Sequence, residues 1–149
     1  MTGDYDTLYI TGHSLGGALA VLAFPDLSQK VSISNVSMYN FAGPAAGDSD
    51  FVSAYEGEYN SNHVSWRIVN ENDLVPKLPP LGLDCPDFSG DKCDLVDIGA
   101  QVVTYGLQNI DGISEDHKMC TYFMTLCAMT PDPTTCDARA VGCTEEDSP

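Results

Sequence analysis

An α/β fold with a mostly parallel sheet flanked by helices is predicted by three features of this 149-residue chain. Short β-branched and aromatic runs alternate with helical segments in the order strand, helix, strand, helix, strand. The segments are cut off by Gly and Pro, as at Gly12, Pro25 and Gly43-Pro44. The first strand leads directly into a Gly-rich turn and then a helix, the start of a right-handed crossover.

The elements follow in order. Thr7 to Thr11 (TLYIT) reads as a buried strand that ends at Gly12. Ser14 to Phe24 (SLGGALAVLAF) is rich in Ala and Leu and stops before Pro25, which predicts a helix ending there. Val36 to Phe41 is the second strand. Asp48 or Ser49 caps a helix running to about Tyr55. Val64 to Asn70 is the third strand, and Asn72 to Pro80 is a Pro-rich loop. Val96 to Tyr105 reads as one more strand, with a bulge at Gly99 or a turn before it. His117 lies in the loop that follows. Lys118 to Met129 is a helix with Met119, Tyr122, Phe123 and Leu126 on one side.

Composition narrows the function. The chain is 43% hydrophobic, enough for one domain with a core. Its longest apolar stretch, Ala18 to Phe24, is too short to span a bilayer. Six Lys and Arg against 22 Asp and Glu give a formal net charge of -16. That excess disfavours nucleic acid, whose phosphates need cations, and anionic membranes. Thr144 to Pro149 is acidic and polar, and a frayed tail is expected over 143–149.

Six cysteines are many for this length. They point to disulfides in an oxidising compartment, hence to a secreted protein, against the alternative of buried thiols or a metal site. No C-x-x-C occurs and no His stands at ligand spacing, so no metal site is expected. Cys85 and Cys93 flank a Gly- and Asp-rich loop and suit one bridge. Cys120 and Cys127 lie two helical turns apart and cannot pair in a regular helix. Cys136 and Cys143 are partners for them or for one another. Asn35-Val36-Ser37 is a glycosylation sequon, which fits secretion. Asp87, Asp91, Asp94 and Asp97 lack the spacing of a calcium loop and read as a solvated surface.

Gly12-His13-Ser14-Leu15-Gly16 fits the pattern G-x-S-x-G. A nucleophilic serine needs a tight strand-to-helix turn that projects its hydroxyl. Gly12 and Gly16 lack Cβ and so allow strand and helix to approach around that turn. The helix N-terminus aims free N–H groups at the reacting carbonyl, and the N–H of Leu15 is one oxyanion-hole donor. The competing reading is an ordinary βα turn with a helix-capping Ser.

Four segments carry a resemblance. GHSLGGALA, YNFAGPAAGDSDF, RIVNENDLVPKLPP and DHKMCTY are similar, in the same order, to segments of the fungal-type (class 3) lipases, and span residues 8 to 122. The resemblance implies an α/β-hydrolase fold and a Ser–Asp–His triad. It further implies that the chain is one partial lipase-like domain over 1–149, the C-terminal portion of the catalytic domain, without the family's N-terminal strands, lid and second oxyanion donor. The nucleophile strand would then lack a neighbour, and self-association through the open sheet edge is expected.

Within that chain order the acid and base lie downstream of Ser14. Of three histidines, His13 adjoins the nucleophile and reads as a packing or hydrogen-bonding group beside the elbow. His63 reads as surface. His117 alone follows every acid candidate and is the base. Asp73 stands where the family places its acid, although an Asx turn ahead of Pro76 would also explain it. Glu71 is the rival acid, and Asp116 is expected at the surface. Leu74, Val75, Leu78, Leu81 and Leu83 form an apolar loop that either covers the core or lines an acyl site. The expected function is a serine ester hydrolase acting on lipid or other carboxylic esters through an acyl-enzyme, with contact to a lipid interface and no cofactor. A non-catalytic lipase-like binding module and a peptidase or thioesterase are the alternatives.

Overall fold

The computed structural model describes residues 6–31, 33, 35–58, 64–78, 100–104, 113–137 and 143. Four strands form one sheet: β1 (Thr7–His13), β2 (Asn35–Phe41), β3 (Val64–Asn70) and β4 (Ala100–Thr104). They lie in the order β1-β2-β3-β4, and every pairing is parallel. Parallel neighbours cannot be joined by a tight hairpin, so helices carry the chain across. These are α1 (Leu15–Lys30) between β1 and β2, and α2 (Ser49–Glu58) between β2 and β3. The short α3 (Ile113–Asp116) and α4 (Met119–Ala128) follow β4.

Period-2 alternation sorts β2 onto two faces. Val36 and Met38 pack under α1 and α2 with Ala20, Val21, Phe24 and Tyr55. Leu8 and Ile10 of β1 join the same core. Tyr39 and Phe41 point to the other face, where Ile68, Tyr122 and Leu126 form a second cluster beneath α4. The sheet thus has helices on both sides, as a parallel sheet requires. The α4 side is only partly covered. Tyr39, Phe41, Trp66, Ile68 and Leu126 line an apolar cleft of about 330 Å³.

Helix α1 runs past Pro25 to Lys30, six residues beyond the end predicted at Phe24. An interior proline costs a helix about 3 kcal/mol. Val21 and Phe24, 2% and 0% exposed, lie just before it. Burying each is worth roughly 1.5–3 kcal/mol. Their packing under the sheet therefore offsets the proline, and the helix continues to a turn closed by the Val31 N–H on the Leu27 carbonyl. Asp48 caps α2 through its Oδ1, which accepts the Phe51 N–H at 2.8 Å. The third strand has the predicted limits. The last described strand starts at Ala100, within the predicted run. The stretch holding Gly99, Leu81, Leu83, Cys85, Cys93 and the four aspartates lies outside the described residues, as do His63 and 144–149.

Among the described residues β1 pairs on one side only, with β2. Tyr9 on this strand is 66% exposed. Leu15, Leu19 and Leu22, at helical spacing along α1, are also exposed. No described helix is long and apolar enough to cross a membrane. Asn35 of the sequon stands exposed at the start of β2, its Nδ2 donating to the Asp6 carbonyl.

The bridges of the C-terminal region are Cys120–Cys143 and Cys127–Cys136. They tie the two ends of α4 to the chain beyond it. Cys143, placed by the sequence at the start of a frayed tail, is instead buried against α4 because its bridge holds it there. The closed loops span 23 and 9 residues, so chain entropy gives each bridge about 3 kcal/mol. Replacing either pair by Ser should lower unfolding stability by that order, read as a reduced midpoint in urea.

Candidate active site

The site forms where β1, β3 and the segment before α4 converge at the C-terminal ends of the strands, the usual place for function in an open α/β sheet. β1 ends in a turn at Ser14, whose φ of 58° and ψ of -130° are strained for a residue with a Cβ. Such a conformation costs about 1–3 kcal/mol and must be held by its surroundings. The Ser14 N–H donates to the Phe41 carbonyl at 3.0 Å, and the Ser14 carbonyl accepts the Gly17 N–H at 2.9 Å. Both ends of the turn are therefore pinned, one to β2 and one to α1.

The glycines divide the work differently from the sequence-based expectation. A Cβ on Gly12 would lie 2.0 Å from the Gly16 carbonyl oxygen, so Gly12 is what lets α1 cross so close to β1. A Cβ on Gly16 would meet nothing within 4 Å. The second close approach belongs to Gly17, where a Cβ would lie 2.3 Å from the Asn40 Oδ1. That buried oxygen also accepts the Gly43 N–H at 2.9 Å, which joins the elbow to the turn after β2.

Leu15 opens α1 and is 68% exposed. Its N–H belongs to the first helical turn, where no intrahelical acceptor exists. As the first residue of the helix after Ser14, Leu15 stands at the positive end of the helix dipole.

His117 stands between Ser14 and Asp73. Its Nδ1 lies 2.8 Å from Asp73 Oδ2, and its Nε2 lies 2.8 Å from Ser14 Oγ. A carboxylate only accepts, so Nδ1 carries the proton and the bare Nε2 accepts from the serine hydroxyl. Asp73 is fully buried. Its Oδ1 accepts the Val75 N–H at 2.9 Å, and its Oδ2 also accepts the Tyr122 hydroxyl at 2.8 Å. The Asx turn considered for Asp73 is thus present, and the same side chain also reaches His117. Glu71 points to solvent, and its carbonyl accepts from the Lys77 ammonium.

Tyr122 entered the sequence reading only as an apolar face residue of α4. Its ring is buried there, but its hydroxyl accepts the Asn70 N–H at 2.9 Å and donates to Asp73. Burial holds the phenol neutral by raising its pKa far above the usual value, with the Asp73 carboxylate adding to the shift and the Asn70 bond and Arg67 opposing it. A buried tyrosine needs a hydroxyl partner, and that need was the available signal. Asn70 adds a further tie, its Nδ2 donating to the Asp116 carbonyl at 3.0 Å. That bond draws α3 onto the end of β3, so Asp116 is 7% exposed instead of lying at the surface.

His13 reaches His117. Its Nε2 lies 2.8 Å from the His117 carbonyl oxygen, and the two rings are 4.7 Å apart. Burial lowers its pKa below 6.5, with the His117 charge adding to the shift and the backbone bond and Asp73 opposing it. The apolar cleft on the α4 face is lined by none of Ser14, Asp73 and His117. Leu74 and Leu78, at the start of the apolar loop, are exposed. No group of His, Cys, Asp and Glu among the described residues could hold a metal ion.

Comparison of the sequence with known proteins identifies a family. The family model described as Lipase (class 3) matches residues 3–83, more than half of the chain. A lipase of Rhizomucor miehei is 43% identical over 75 residues, which are 48% of this chain and 20% of that protein. Secreted mono- and diacylglycerol lipase A of Penicillium cyclopium is 32% identical over 105 residues, 70% of this chain and 33% of that protein. The crystal structure of a lipase from Rhizopus microsporus var. chinensis superposes with a TM-score of 0.44 at 36% identity, covering 50% of this chain and 26% of that one. The chain therefore spans about a fifth to a third of the curated relatives it matches. With the matched segment holding the elbow, β2, β3 and Asp73, the chain belongs to the class 3 lipase family.

Proposed function

We propose that this chain carries the catalytic triad of a serine ester hydrolase, with Ser14 as nucleophile, His117 as base and Asp73 as its orienting acid. The observation that carries the reading is the continuous run of bonds from buried Asp73 through His117 to the Ser14 hydroxyl, each 2.8 Å long. In that arrangement His117 Nε2 takes the Ser14 proton as Oγ bonds to the ester carbonyl carbon. The Leu15 N–H receives the developing oxyanion. His117 then gives its proton to the departing alcohol oxygen as the acyl C–O bond breaks. Water attacks the acyl-enzyme by the same route and releases the acid. No cofactor enters these steps.

The family supports a lipid ester as the substrate class. Its relatives include a secreted mono- and diacylglycerol lipase, and the stripe of Leu15, Leu19 and Leu22 beside the nucleophile suits contact with a lipid or other apolar ester. Two disulfides and that relative support a secreted protein. The test is turnover of p-nitrophenyl butyrate alongside the matching thioester and anilide. The ester should be cleaved fastest. Ser14→Ala should abolish turnover and leave the unfolding free energy, from urea titration, within about 1 kcal/mol of the native chain. Ester hydrolysis surviving in Ser14→Ala would end the proposal.

A further inference from the structure

We infer that His13 is a positioning residue for the base, holding the backbone of His117 so that its ring stays between Asp73 and Ser14. The inference rests on the triad reading above. Four observations carry it. The His117 carbonyl can only accept, so His13 Nε2 carries a proton and donates to it across 2.8 Å. The two imidazoles lie 4.7 Å apart with planes 33° from parallel, so the His13 ring also lies against the base it anchors. His13 belongs to β1, immediately before the elbow, and is in register with Phe41 of β2. Finally, the His13 and Tyr122 rings meet edge to face, 6.1 Å apart, and Tyr122 itself holds Asp73. One side chain on the rigid sheet therefore touches the base and the residue that fixes the acid.

The need for such an anchor is visible in the chain. His117 follows a helix of four residues and precedes α4, so the base sits on a turn between short elements. Apart from Ser14, the hydrogen bond that holds its ring among the described residues comes from Asp73. A shift of about 1 Å in such a group can cost 10²-fold in rate. Charge is the second requirement. His117 becomes an imidazolium during proton transfer, and a cationic neighbour would oppose that. The ionisable groups facing His13 are His117, Asp73 and Tyr122. Burial disfavours the charged form of His13, so the ring lying against the base does not add a cation there.

The experiment follows fluorophosphonate labelling of Ser14 between pH 6 and 9, with the imidazole nitrogens of the native chain assigned by NMR. Native Ser14 should label. His13→Phe keeps a ring and removes the donor, and should label about tenfold to hundredfold more slowly at every pH. His13→Gln places an amide N–H near the Nε2 position and should recover most of the rate. A merely structural role would predict no such recovery. In the native chain His13 should be the neutral Nε2–H tautomer, and His117 should show a low-field Nδ1–H proton that broadens in His13→Phe. Equal labelling of native chain and His13→Phe would overturn the inference while leaving the triad reading intact, as would an Nδ1–H tautomer at His13 whatever the variants do. A native chain that folds and does not label would defeat the triad reading itself, and this inference with it.

Discussion

Asp73→Asn is expected to slow acylation of Ser14 about 10⁴-fold, the scale of a base held in the wrong tautomer. Three donors converge on the Asp73 carboxylate: the Val75 N–H on Oδ1, and His117 Nδ1 with the Tyr122 hydroxyl on Oδ2. An amide has one acceptor oxygen, so it cannot satisfy both positions. With its NH₂ toward His117, the imidazole must give up its Nδ1 proton, and Nε2 then carries a proton and cannot accept one from Ser14. With its NH₂ toward Val75, two N–H groups face each other in a fully buried place, which costs about 1–3 kcal/mol. The first orientation breaks the relay, and the second keeps the tautomer but leaves that clash and removes the negative charge that stabilises the imidazolium, while the shape of the side chain is kept. Labelling by a fluorophosphonate at pH 7.5 would measure the loss, and a rate within tenfold of native would show that Asp73 does not orient the base.

The second large effect concerns folding. Gly12→Ala should destabilise the chain by about 3 kcal/mol or more, because the added Cβ would be driven into backbone, the Gly16 carbonyl, which cannot swing aside as a side chain could. The neighbouring Gly16→Ala should do the opposite. It meets open space and lies in the first turn of α1, where alanine is favoured over glycine by up to about 1 kcal/mol. Urea titration of the two variants side by side would show this split. Equal losses would mean that the elbow is set by helix packing as a whole and not by the single close approach at Gly12.

Local signals in the sequence located the elements well where the chain itself determines them. The strand Val64–Asn70 has the predicted limits, because alternation and flanking breakers mark both ends. The Asp48 cap follows from side-chain chemistry three residues long. Pro25 misled because its local penalty is outweighed by tertiary burial of Val21 and Phe24, which no local window contains. Gly16 misled for a related reason. A motif fixes where glycines occur, but which of them faces backbone depends on the crossing of α1 over β1.

The site was legible in its candidates and not in its connections. Ser14, Asp73 and His117 could be named from chain order and resemblance, and the structure brings the three side chains within 2.8 Å of their neighbours. Tyr122 could not be named so, since its ring obeys the apolar pattern of α4 while its hydroxyl reaches 49 residues back to Asp73. Asp116 was misplaced because the bond that buries α3 comes from Asn70, on a different element. His13 was recognised as a group beside the elbow, yet its partner is 104 residues away. Long-range polar bonds carry no period in the sequence, which is why these three connections were not legible in it.

The central claim is that this chain holds an activated serine, and the most direct measurement is covalent. The purified, folded chain would be exposed to a fluorophosphonate and digested, and the adduct located by mass spectrometry, with Ser14→Ala treated in parallel. A single adduct on Ser14 that disappears in Ser14→Ala is the result expected from the Asp73–His117–Ser14 relay. A folded, dispersed chain that acquires no adduct, or acquires it equally in Ser14→Ala, would contradict it.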